Sequence, residues 1–182
     1  MTKGKSRGSS KKPPAPQRNL LRESQFWGSL LILLGVFSLL MLLSPNQGVI
    51  TTWWTGQLRA GVGDAVILLP LLLIGLGLWA VLRGIGKLKT ASRLRPIGAL
   101  LLFLVFVIAL HMAIGGDNPQ AVALDGRGGG ALGYALSDLL QEALGQGTAW
   151  IILMLTAVAA TVLLAGPLML STLTMAGVWI VQ

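Results

Sequence analysis

The sequence has no cysteine, one histidine and one tyrosine among its 182 residues. Without cysteine there is no disulfide framework and no thiolate metal site. A metal centre needs several ligands, and His111 alone is a poor supply, so neither a metal nor a cofactor is expected. Ser/His/Asp catalysis would have to recruit the same His111 across the chain, and no nucleophile-elbow motif is there to present a serine. A phosphate-binding loop is missing too. The stretch Arg83-Gly84-Ile85-Gly86-Lys87-Leu88 has glycines and a lysine but not the GxxxxGK[ST] spacing. Negative charge is scarce, six acidic residues against fourteen basic ones. An enzyme is therefore not expected, and no catalytic residue is assigned.

What the chain has in quantity is apolar sequence, 54% of its residues. All twenty charged residues lie outside the interiors of four apolar blocks, at about 25–43, 62–82, 97–114 and 148–170. The hydrocarbon layer of a bilayer is about 30 Å thick and takes about 20 residues of helix to cross. Each block is long enough. A soluble protein could hide one such run in its core, but four in a short chain point to an all-α polytopic membrane protein. The lipid bilayer is then its first partner. The expected fold is a four-helix transmembrane bundle with an extracytoplasmic amphipathic helix. The net charge of +8 would suggest nucleic acid in a soluble domain; in a membrane protein it reflects the basic loops kept in the cytoplasm. No cleavable signal peptide is evident, because the basic head is long and the first apolar run exceeds a signal core. Residues 1–22 read as a disordered basic tail, rich in Ser, Pro and Gly. Residues 23–170 read as the membrane domain.

Orientation follows from the basic residues. Seven precede the first span, from Lys3 to Arg22, and five (Arg83, Lys87, Lys89, Arg93, Arg95) lie between the second and third. The other loops hold one each, Arg59 and Arg127. A split of twelve against two places both ends of the chain and the 83–96 loop in the cytoplasm. Loops 44–61 and 115–147 then face outward. Trp27, Trp53, Trp54, Trp79 and Trp150 all fall near span ends, where indole rings favour the headgroup level.

Pro70 lies inside the second span, so a kink is expected there, either a hinge or a packing feature. Gly28, Gly35, Gly75, Gly77, Ala157, Ala159 and Ala160 are the small residues that let helices approach, without a GxxxG inside a span. The outer loop opens on Gly115-Gly116-Asp117-Asn118-Pro119, a turn-rich start. After Gly126-Arg127-Gly128-Gly129-Gly130 comes an amphipathic helix at about 131–144. Leu132, Leu136, Leu139, Leu140, Ala143 and Leu144 make one face; Ser137, Asp138, Gln141 and Glu142 make the other. The apolar face is expected to pack on the outer end of the bundle or to lie flat in the interface; a partner surface is the third option. His111 sits about one turn from the outer end of the third span, where its ring is expected to reach the interface. Asp64 stands at a helix start, where the dipole favours its charge. Gly61-Val62-Gly63-Asp64-Ala65 and Gly145-Gln146-Gly147-Thr148-Ala149 lead into the second and fourth spans alike, a faint echo of two duplicated hairpins.

The order of these features resembles a family. The basic head, the Leu-Pro-Leu around Pro70, the loop ending Arg95-Pro96-Ile97-Gly98, and Gly129-Gly130-Ala131-Leu132-Gly133-Tyr134 followed by Gly145 and Gly147 are similar to the N-terminal four-span domain of FtsK/SpoIIIE DNA translocases. The resemblance covers about 22–175. It implies Pro70, Gly129, Gly130, Gly133, Tyr134, Gly145 and Gly147 as structural or interaction candidates. It also implies a homo-oligomer, contact with cell-division proteins, and a place at the division septum, acting in chromosome segregation. DNA would be reached only through a cytoplasmic motor, whose nucleotide-binding motifs this sequence lacks. The apolar stretch 167–182 has no charged anchor, which reads as a juxtamembrane segment (171–182) leading into a linker and motor. The competing reading is a free-standing four-span accessory protein or small transporter, although the spans hold almost no polar residue at mid-bilayer. A third possibility, DNA or anionic lipid held by the basic head, would be salt-dependent.

Overall fold

The computed structural model describes residues 18–45, 48–87 and 94–165; the expected tail up to residue 17 and the juxtamembrane segment 171–182 lie outside them. Among the described residues every regular element is helical. The elements are α1 (Arg18–Leu43), α2 (Val49–Val62), a 3-10 turn (Gly63–Ile67), α3 (Leu68–Gly84), α4 (Arg95–Ile114), α5 (Pro119–Leu124), α6 (Gly130–Leu144) and α7 (Gln146–Ala165). Four helical stretches, Glu23–Leu43, Val49–Gly84, Arg95–Ile114 and Gln146–Ala165, are long and apolar enough to cross a membrane. The chain is a membrane protein, and the physical reason for helix is direct. With no water in the hydrocarbon, each backbone N–H and C=O must be satisfied within its own segment.

The second stretch departs from expectation. Residues 44–61 were expected as a loop, yet Val49–Val62 is helix and runs toward the second span. The 36 residues of Val49–Gly84 would measure about 54 Å as one straight helix, against about 30 Å of hydrocarbon. The excess is resolved by a corner. Gly63 ends α2 with φ +61, a conformation open to glycine and strained for other residues. The 3-10 turn then leads into α3. Pro70 is the third residue of α3, where its missing N–H is one the helix could not have used. The break expected at Pro70 thus sits ahead of it, in the turn, and Pro70 is not in a helix interior.

α1 and α3 run antiparallel with their backbones touching. A Cβ on Gly28 would come 2.8 Å from the Gly77 carbonyl oxygen, and one on Gly77 2.6 Å from that of Gly28. One turn pair further out, Gly35 faces the Pro70 carbonyl at 2.8 Å. α4 and α7 pair in the same way, Gly98 lying against Ala160 and Leu164. Small residues are what such pairs need, since lipid gives no hydrophobic drive for helix association. α2 folds back on the C-terminal end of α1: the Trp54 indole N–H donates to Ser38 Oγ at 3.2 Å, Thr51 Oγ1 donates to Met41 Sδ at 3.2 Å, and Phe37 meets Trp54 edge to face. The buried core lies where the two pairs meet, Val62, Ala65 and Val66 packing on Phe103 and Val107.

Candidate functional site: a glycine corner between two helix pairs

Among the described residues seven glycines have positive φ, and four of them (Gly63, Gly126, Gly128, Gly130) converge at one place. There the α2–α3 corner meets the 126–130 segment. The Asp64 N–H donates to the Gly128 carbonyl at 2.8 Å, and the Gly128 N–H donates to Asp64 Oδ2 at 2.7 Å. The pair is reciprocal, and its second member is charge-assisted. It joins positions 64 residues apart in the chain. Gly63 and Gly130 are interleaved: a Cβ on Gly130 would lie 2.5 Å from the Gly63 nitrogen, and one on Gly63 would strike the Gly128 carbonyl. No larger residue fits at either position.

α6 then crosses the end of α4. Gly129 presses on the Val107 carbonyl and stands 3.0 Å from His111 Cβ, counted from a built Cβ; Gly133 does the same at 3.0 Å and 2.9 Å. Gly130, Gly133 and Ser137 are the buried residues of α6. The face that packs is therefore the small one. Leu132, Leu139 and Leu144 are exposed and Leu136 and Leu140 half-buried, so of the placements expected for the leucine face, docking on the bundle end is corrected. Close approach of α6 to α4 leaves no room there for leucine, so that face turns outward. Ser137 was assigned to the polar face; it is buried, its hydroxyl donating back to the Tyr134 carbonyl at 3.0 Å.

His111 is also corrected. Its ring does not reach the interface but is buried under the glycine segment, in edge-to-face contact with Tyr134 at 5.8 Å. Neither ring nitrogen forms a hydrogen bond. Asp64, read from sequence as a helix-start charge, serves as the acceptor that locks the corner.

Of the sequence candidates, the structure brings Gly129, Gly133 and Tyr134 together around His111 and sets Gly130 against Gly63. Gly145 stands apart as the C-terminal cap of α6, with φ +77 and open space around it. Gly147 has nothing within 4 Å of a built Cβ. Pro70 belongs to the α1–α3 contact instead. The residues not anticipated are Gly63, Gly128, Val107 and Ser137. A signal for α6 was present, because positions 129, 133 and 137 repeat a small residue every fourth place, the spacing of one helix face.

Among the described residues no group of three or more His, Cys, Asp or Glu side chains could hold a metal. What the corner supplies is a joint of backbone against backbone, the α2–α3 turn on the 126–130 segment, with α6 seated on α4. A family model described as the 4TM region of DNA translocase FtsK/SpoIIIE matches residues 46–177. No curated protein and no solved structure matches the chain.

Proposed function

Since the chain belongs to the family of the 4TM region of FtsK/SpoIIIE DNA translocases, we propose that it is the membrane-anchoring and assembly domain of such a translocase, working in cell division and chromosome segregation without catalytic activity of its own. The observation that carries this reading is the family match together with the site it covers. The matched span holds the whole glycine corner, from Gly63 to Gly133. That corner is built for fixed geometry and not for chemistry: backbone packs on backbone, and the one buried histidine touches Tyr134 and glycine. A rigid anchor is what a force-producing motor needs at its membrane end. Both chain ends are read as cytoplasmic, in the inner membrane of a bacterium, with division proteins and further copies of the chain as partners.

The test is localisation. The chain, fused to a fluorescent protein and expressed in dividing bacteria of its own group, is expected to concentrate at mid-cell during constriction. An even signal around the whole membrane through the division cycle would remove the division role and leave a four-span accessory protein.

A further inference from the structure

Between the two helix pairs, α3 and α4 stand apart enough to leave a groove within the membrane-spanning layer. One part, of about 400 Å³, is lined by Leu68, Leu72, Leu102, Phe103 and Phe106; the next, of about 330 Å³, by Gly75, Leu76, Trp79, Arg95 and Pro96. Leu71, Leu72, Ala99 and Leu164 line both, so the two are one continuous channel. It is apolar along most of its length and changes character at one end. There it meets the last turns of α3 and the first turn of α4.

At that end two hydrogen-bond donors are shut away from solvent with nothing to donate to, Trp79 Nε1 and Arg95 Nε. Both belong to residues lining the groove. A second guanidinium, that of Arg83, stacks on the Trp79 ring at 5.0 Å. Buried donors are nearly always paired in a folded protein. Two unpaired donors beside two guanidinium groups therefore mark a place for an anionic oxygen. The rest of the groove needs a long apolar occupant.

We infer that the α3–α4 groove binds an anionic phospholipid, with one acyl chain between Leu71, Ala99 and Leu164 and the phosphate accepting from Arg95 Nε and Trp79 Nε1. Only a molecule with a negative head and a hydrocarbon tail satisfies both ends. Basic pockets between spanning helices at the headgroup level are known to suit such lipids. The volume is in the range of small-molecule sites, about 300–1,000 Å³. The bound lipid would extend the contact between the two helix pairs beyond the core of Val66, Phe103 and Val107.

The full chain is reconstituted in nanodiscs of phosphatidylcholine with a minor share of phosphatidylglycerol, then released into mild detergent, and retained lipid is counted by native mass spectrometry. Phosphatidylglycerol is expected to be enriched over its share in the disc. Arg95→Gln should reduce that enrichment about fivefold, the effect of one basic residue at a lipid headgroup. Trp79→Phe, which keeps the ring and removes the donor, should reduce it too, and serves if Arg95→Gln fails to fold. Ala99→Phe should exclude lipid of either kind. Equal retention of the two lipids, or unchanged enrichment in both Arg95→Gln and Trp79→Phe, would overturn the inference. Displacement of the lipid by inorganic phosphate would overturn it in favour of a free-anion site, and retention unaffected by Ala99→Phe would place the lipid elsewhere.

Discussion

A leucine at position 129 or 133 would drive its side chain into the Val107 carbonyl and the His111 Cβ, which a built Cβ already crowds at 3.0 Å or less. Backbone cannot move aside as a flexible side chain can, so α6 must lift from α4. Overpacking of this kind costs about 1–3 kcal/mol, and here it also opens the corner held by Asp64 and Gly128. Gly129→Leu and Gly133→Leu are therefore expected to lower the melting temperature of the detergent-solubilised chain clearly. Gly147→Ala is the control. A built Cβ there meets nothing, so its effect should stay within about 0.5 kcal/mol. Equal melting temperatures for all three variants would mean that α6 is not seated on α4 as described. At this scale the residue types alone say little: Gly129, Gly133 and Gly147 look alike in the sequence, and only the packing separates two that are required by close approach from one that is not.

The helices differ in how legible they were, and the reason is the solvent. An apolar run of about 20 residues in a bilayer has no option but helix, so the α1, α3, α4 and α7 regions could be read from composition. α2 could not. Its sequence, Val49–Val62, does repeat Ile50, Trp54, Leu58 and Val62 at helical spacing, but threonines and glycines interrupt the run, and what seats it is tertiary, the Trp54–Ser38 and Thr51–Met41 bonds to α1. For α6 the helix was legible and its seat was not, because an apolar stripe suggested burial while the small stripe had the closer fit. The placing of α2 can be checked directly. Val49, at 89% exposure, and Trp53 point away from the bundle, which suits a helix lying at the headgroup level with its apolar side toward lipid. A cysteine replacing exposed Thr52, on the polar flank of α2 beside Arg59, is then expected to react with a water-soluble maleimide, whereas one replacing Gly75, exposed on α3 within the span, is not. Protection of both positions would place α2 inside the hydrocarbon.

Across the described residues each helix pair is a span and a returning span joined through helix, α2 in the first pair and α5 and α6 in the second, with a positive-φ glycine (Gly63 or Gly145) before the return. This plan makes the connecting helices α2 and α6 lie at the same end, opposite the groove end that carries Arg83 and Arg95. Which end faces the cytoplasm depends on charge. With basic residues divided twelve against two, the end bearing Arg83, Lys87 and Arg95 should stay inside, because Lys and Arg resist translocation whereas acidic residues contribute little. The natural chain has no cysteine, so single substitutions report sidedness without background. A cysteine at exposed Asp117, just before α5, is expected to react with a membrane-impermeant maleimide added to intact spheroplasts. One at exposed Lys87, beyond α3, should react only after the membrane is broken. The reverse pattern would turn the molecule over, put the glycine corner in the cytoplasm, and leave a motor attached after α7 on the wrong side of the membrane for DNA.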